Sequence, residues 1–206
     1  RMIIDCNLNI PLLYYLDKFV PEKHYYQKAF NHVHQAMKYI VRPDASTYHT
    51  FHMDTVTGEP RFGSTHQGYS DSSCWARGQA WGIMGFPISY KYTKDYELIE
   101  LAKKLTNYFL NRLPEDFICN WDLIFQDKET NKDTSAAAIA AIGMSEMLKH
   151  IPLSDDSRQI YENACLHITK SLIENYMGTN NEGFLKSGVY FYHGGLGIDE
   201  YLIFGD

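Results

Sequence analysis

Thr134-Ser135-Ala136-Ala137-Ala138-Ile139-Ala140-Ala141-Ile142-Gly143-Met144-Ser145-Glu146-Met147-Leu148 contains a single charged residue and few bulky side chains. A helix that is small or apolar on nearly every side belongs inside a protein. Its alanines let neighbouring helices approach closely. Asp133-Thr134-Ser135 supplies capping groups at its start. The same inner character recurs from Asp5 to Leu16 and from Ser72 to Tyr92. Between these stretches lie amphipathic ones with a charged face, Pro21 to Val41, Tyr96 to Leu113 and Ser154 to Tyr176. Pro21 stands at a favoured first-turn position, and Ser154-Asp155-Asp156 offers a cap with acidic first-turn residues. The inner stretches begin roughly 65 residues apart, which suggests a repeated helical hairpin.

Inner and outer helices in alternation make an all-α toroid or a related solenoid. Three hairpins are too few for a ring of six. The chain also enters an apolar run directly after Arg1 and finishes at Ile203-Phe204-Gly205-Asp206. We therefore read residues 1–206 as one domain that is part of a larger barrel. In a toroid the loops entering the inner helices meet at one end, so functional groups are expected at or just before the inner-helix starts.

The totals exclude several classes. With 206 residues, 45% hydrophobic and 21% charged, the composition is that of a soluble globular protein. A net charge of -6 argues against a surface that grips nucleic acid, but not against a small anionic substrate. No stretch has the length of a membrane span. Cys6, Cys74, Cys119 and Cys165 form no Cys-x-x-Cys pair, so reduced core cysteines are expected. The 16 tyrosines serve a core or a carbohydrate platform equally well.

Three segments stand at inner-helix mouths. Asp5, in Ile3-Ile4-Asp5-Cys6-Asn7, reads as a helix cap or as a general acid, since a carboxyl in a partly apolar pocket keeps its proton to higher pH. Ser64 to Trp81 concentrates sugar-binding groups, with Arg77 and Trp81 four apart on one helix face. Arg offers a two-pronged donor for a carboxylate and Trp a flat surface for a sugar ring. The bland alternative is an Arg77 that pins the loop through Asp71. Asp133 is a cap or lines the site. His24, His32 and His34 are expected in solvent on an outer helix. His49 and His52, in an extended stretch resembling a short strand or loop, lack a carboxylate to complete a metal ligand set. There is no Gly-x-Ser-x-Gly elbow and no glycine-rich phosphate loop. Gly188, Gly194, Gly195 and Gly197 are expected to shape turns.

Several runs together resemble glycoside hydrolase family 88, the unsaturated glucuronyl hydrolases. They are Ile3-Ile4-Asp5-Cys6, Asn9-Ile10-Pro11-Leu12-Leu13, Tyr39 to Thr50, Thr65-His66-Gln67-Gly68-Tyr69, Trp75-Ala76-Arg77-Gly78-Gln79-Ala80-Trp81 and Asp133-Thr134-Ser135-Ala136. The resemblance implies an (α/α)6 barrel of which this chain is the C-terminal portion. It also implies a hydrolase that removes a 4,5-unsaturated glucuronate left on oligosaccharides by polysaccharide lyases, with no cofactor or metal. The residue matching Asp5 protonates C4 of the double bond and activates water for attack at C5, unlike glycosidases with two carboxylates about the anomeric carbon. His49, Gln67, Arg77 and Trp81 match residues that hold the uronate, and His193 falls in a loop that lines the pocket.

Three departures matter. The family's other aspartate, in His-Asp-x-Gly-Phe, precedes the residue matching Asp5 and has no counterpart here, so the chain alone is expected to be inactive. Relatives that accept sulfated disaccharides carry Ser-x-x-Ser-x-Lys, where this chain has Phe191, Gly194 and Leu196. Ser73 stands where some relatives place a Trp. Two rival readings share the pattern: a rhamnogalacturonyl hydrolase acting on pectin fragments, and a non-catalytic sugar-binding α/α repeat protein. The natural disaccharide and the oligomeric state stay open, and relatives occur in both bacterial cytoplasm and periplasm.

Overall fold

A computed structural model describes residues 1–179 and 183–206. Three helical hairpins follow one another. The inner helices are α1 (Cys6–Asp17), α3 (Ala76–Thr93) and α5 (Thr134–Leu148), and the outer ones are α2 (Tyr25–Tyr39), α4 (Glu97–Leu110) and α6 (Arg158–Asn175). Each outer helix packs on the inner helix before it, and α3 lies between α1 and α5. The inner helices cross tightly. A Cβ at Gly85 would fall 2.5 Å from Asn7 Cβ, and one at Gly143 would fall 2.7 Å from the Met84 backbone nitrogen. Only glycine admits that approach.

α3 and α5 are buried nearly all round, as their sequences require. α1 is not. Its Ile10 and Tyr14 are buried, while Leu12 and Tyr15 are exposed, because among the described residues its main helical neighbours are α2 and α3. At the other end of the row Ile142 of α5 and Leu166 and Ile173 of α6 are exposed.

Several helix starts depart from the sequence reading. Pro21 opens a short 3-10 turn (Pro21–Lys23), and His24 then takes a left-handed φ of 52°, so α2 begins at Tyr25. α3 begins at Ala76 rather than Ser72, since the preceding serines bond within the loop. α6 begins at Arg158, behind a turn in which Asp155 Oδ1 accepts from the Ser157 amide at 2.9 Å. Asp133 does cap α5, accepting from the Ala136 amide. His34 is not in solvent. It is half-buried, with Nε2 2.8 Å from Asp95 Oδ2, and His32 is also half-buried.

Among the described residues five short strands decorate the inner-helix mouths. β1 (Met2–Ile3), β2 (Thr50–Met53) and β3 (Pro60–Ser64) form an antiparallel sheet in that order. Its register pairs Met2 with Phe51 and Ile3 with Thr50. The Ile4 amide then donates to the His49 carbonyl at 3.0 Å, which brings Asp5 beside His49. β4 (Gly188–Phe191) and β5 (Leu196–Glu200) form a hairpin over the mouths of α3 and α5. All four cysteines are free thiols, with Cys74 and Cys119 buried. Among the described residues no helix is long and apolar enough to cross a membrane.

Candidate active site

Asp5 occupies the N-cap position of α1, yet its side chain makes no capping bond. Its Oδ2 is buried without a hydrogen-bond partner and lies 3.8 Å from His49 Nε2. Burial raises the carboxyl above the usual aspartate range, against the smaller lowering pull of its own backbone amide and the Arg77 charge. The capping reading therefore fails, and a carboxyl that keeps its proton to higher pH than an ordinary aspartate stands at the mouth.

His49 is buried, with its ring 4.4 Å from that of Trp75. Its Nδ1 faces the amides of His66 at 3.2 Å and Gln67 at 3.3 Å. Backbone amides only donate, so Nδ1 is the acceptor and the ring proton sits on Nε2, toward Asp5. Burial, reinforced by the charges of His66, Arg77 and Arg1, lowers its pKa to about 4, so the ring is neutral at physiological pH.

Arg77 lies in the first turn of α3 and is buried against Asp133. Nη1 reaches Asp133 Oδ2 at 2.8 Å, Ser135 Oγ at 3.2 Å and the Val189 carbonyl at 2.7 Å. Nη2 donates to the Tyr190 carbonyl at 3.0 Å. Asp133, not Asp71, is thus its partner; Asp71 Oδ1 instead accepts from the Thr65 amide. Nε–H has no protein acceptor among the described residues.

Gln67 Nε2 donates to the same Tyr190 carbonyl at 2.6 Å, and His193 Nε2 lies 2.8 Å from the Gly68 carbonyl. Together with Arg77 these fasten the β4–β5 hairpin over the mouth. Trp81, one turn after Arg77, is half-buried and meets Phe204 edge-on at 6.4 Å. His52 belongs elsewhere, against Phe62 and Ser64 Oγ. Among the described residues no group of three or more His, Cys, Asp or Glu is placed to hold a metal ion.

No protein-family model matches the chain. The "Unsaturated chondroitin disaccharide hydrolase" of Streptococcus agalactiae serotype III is 50% identical over 212 residues, covering 100% of this chain and 53% of that protein. The "Unsaturated glucuronyl hydrolase" of Bacillus sp. strain GL1 is 39% identical over 210 residues, covering 100% of this chain and 56% of that protein. The crystal structure of the unsaturated glucuronyl hydrolase from Streptococcus agalactiae superposes with a TM-score of 0.95 at 48% identity, over 99% of this chain and 52% of its own. The Bacillus sp. GL1 enzyme superposes with a TM-score of 0.96 at 38% identity, over 100% of this chain and 55% of its own. The chain belongs to the unsaturated glucuronyl hydrolase family. It spans about half the length of the curated relatives it matches. Its three hairpins accordingly form part of an α/α barrel.

Of the residues singled out by resemblance to the unsaturated glucuronyl hydrolases, Asp5 and His49 come together directly. Gln67, Arg77 and His193 gather round the Gln67–Gly68 loop and the Tyr190 carbonyl. Trp81 sits one helical turn behind Arg77. Asp122 escaped the sequence reading. It is fully buried and binds the loop around Tyr69 and Cys74, about fifty residues earlier. Asn120-Trp121-Asp122 carries no motif that signals this. Trp75, whose ring lies against both His49 and the Arg77 guanidinium, was quoted only as part of a run.

Proposed function

We propose that the protein carrying this chain hydrolyses terminal 4,5-unsaturated glucuronate from lyase-generated oligosaccharides, with Asp5 as acid and base. The observation that carries the reading is Asp5 itself: a carboxyl raised by burial, unbonded at Oδ2, beside a neutral imidazole at an inner-helix mouth. Protonated Asp5 gives its proton to C4, and water adds at C5 while returning a proton to the carboxylate. The C5 hemiketal opens to a ketone. The hemiacetal then left at C1 releases the second sugar with its own oxygen. One group that gives and retakes a proton suffices when its pKa lies near the working pH.

His49 bounds the reacting ring on the Asp5 side. Arg77, with its Nε–H free of a protein acceptor among the described residues, donates to the uronate carboxylate, Gln67 and His193 border the ring's rim, and Trp81 offers its face. A relative from Streptococcus agalactiae has been crystallised with dGlcA-GalNAc6S, and a further solved structure similar to this chain, at 38% identity, is a complex with dGlcA-Glc-Rha-Glc. These descriptions support an unsaturated glucuronyl substrate over a pectin fragment. At the β4–β5 hairpin, Phe191 stacks on His66 at 4.8 Å, and a Cβ at Gly194 would fall 2.4 Å from the Phe191 ring. That aromatic surface supports preference for an unsulfated second sugar.

The test is loss of ultraviolet absorbance of the conjugated double bond. Full-length protein is offered unsaturated disaccharides from chondroitin, hyaluronan, heparin and pectin, sulfated and unsulfated. Turnover of unsulfated glucuronyl substrates that Asp5→Asn abolishes supports the reading. No turnover of any substrate, with binding retained, favours a non-catalytic sugar-binding protein instead.

A further inference from the structure

Asp122 is fully buried, and no Lys, Arg or His lies within ion-pair distance of it among the described residues. Four donors surround it instead. Oδ2 accepts from the Tyr69 amide at 2.8 Å and the Ser73 hydroxyl at 2.6 Å. Oδ1 accepts from the amides of Cys74 at 3.3 Å and Ile124 at 3.1 Å. Both oxygens act as acceptors, an arrangement that a carboxylate satisfies and an amide cannot. The loop it grips is packed without slack: a Cβ at Gly68 would fall 2.7 Å from Thr65 Oγ1 and 3.0 Å from Asp122 Oδ2. Three and two residues back from Tyr69 stand the His66 and Gln67 amides, from which His49 Nδ1 accepts.

We propose that Asp122 is a positioning residue: by clamping the 65–74 loop it keeps the His66 and Gln67 amides on His49 Nδ1, so that the imidazole carries its proton on Nε2 and turns that N–H toward Asp5. The choice of tautomer matters for the acid. With Nε2 protonated, the ring cannot accept the Asp5 proton, which stays available for the substrate, and the N–H faces the carboxylate once that proton has gone. With Nδ1 protonated, a bare Nε2 would hold the acid's proton in a hydrogen bond. The consequence for turnover rests on the reading of Asp5 as the acid. The tautomer itself does not, and it is measured without substrate.

The experiment is long-range proton–nitrogen NMR of the full-length protein with 15N-labelled histidine, recorded well above the pKa of about 4 of His49, whose signals are assigned by their loss in His49→Gln. Wild-type His49 is expected as one signal set, pyridine-like at Nδ1 and pyrrole-like at Nε2. Asp122→Asn, which turns an amide NH2 on one pair of donors, is expected to add an Nδ1-protonated set populated to about a tenth or more. Gly68→Ala, which pushes the loop off an intact Asp122, is expected to do the same and decides the matter if Asp122→Asn does not fold. Asp116→Asn, at a half-buried carboxylate bound to Lys132 and Tyr176 away from this loop, serves as a control for lost stability alone and is expected to keep the single set. An Nδ1-protonated wild type overturns the proposal, as does a wild-type pattern in a folded Asp122→Asn. In full-length protein, kcat of Asp122→Asn is expected to fall by up to about a hundredfold, as for a slightly misplaced reacting group, with KM little changed. Should Asp5→Asn stay active while the tautomer results hold, the acid reading fails and this one stands.

Discussion

Asp133→Ala tests whether the buried pair with Arg77 holds the mouth together. Both side chains are almost completely buried, and the contact is 2.8 Å. Removing the carboxylate leaves a guanidinium in the interior without its counter-charge, which costs about 3–5 kcal/mol. The three remaining acceptors, Ser135 Oγ and the carbonyls of Val189 and Tyr190, favour the lower end. The same substitution removes the cap on the Ala136 amide, worth about 1 kcal/mol. The expected loss is about 4–6 kcal/mol, equivalent to a fall in Tm of about 10–20 °C for a domain of this size. Urea unfolding followed by circular dichroism measures it. Arg77→Met with Asp133→Leu should recover part of the loss, since no charge is then stranded, but not all, because the Val189 carbonyl loses its donor and the Tyr190 carbonyl keeps only Gln67. A single-variant loss below about 1 kcal/mol would refute the reasoning.

His49 is held neutral, its pKa lowered from 6.5 to about 4 by burial, so the unfolded chain takes up a proton before the folded one. Stability should fall by roughly 3 kcal/mol as pH drops from about 6.5 to about 4, and His49→Gln should flatten that part of the profile. Asp5 has the opposite linkage. Its raised pKa means the folded state retains a proton that the unfolded state loses, so stability declines as pH rises from 3.8 through the folded value. Asp5→Asn should therefore raise Tm at neutral pH, with the gain vanishing below the unfolded value. Gln67→Ala removes a 2.6 Å bond to the Tyr190 carbonyl and should speed amide exchange across residues 188–200 roughly fivefold, as a loss of about 1 kcal/mol implies. Gly143→Ala would press a methyl to 2.7 Å from backbone in α3 and should cost at least about 1–3 kcal/mol in thermal unfolding.

α3 and α5 were legible because burial on nearly all sides leaves a compositional mark that survives translation to any neighbour. Asp133 was legible as a cap because Asp-Thr-Ser followed by alanine is a local signal, satisfied three residues later. The start of α3 was not, because Ser73 lies within the loop, its hydroxyl bonded to Ser70 and to Asp122. Asp122 is distant in sequence, and so is Asp133, which pairs with Arg77 where the alternative reading had offered Asp71. The exposed faces of α1 and α6 likewise depend on which helices stand beside them, information that their own periodicity does not carry. Asp5 could be read two ways from its position at a helix mouth. The structure separates them because the carboxylate makes no capping bond and one oxygen is buried without a partner.

The most direct measurement is turnover of an unsulfated unsaturated disaccharide by full-length protein in deuterated, 18O-labelled water, with early products followed by NMR and mass spectrometry. Protonation by Asp5 at C4 and water addition at C5 should place one deuteron at C4 and the heavy oxygen at C5 of the released uronate, leaving the second sugar's oxygen unlabelled. Heavy oxygen at C1 with no deuteron at C4 would mean ordinary glycosidic hydrolysis and would contradict the account.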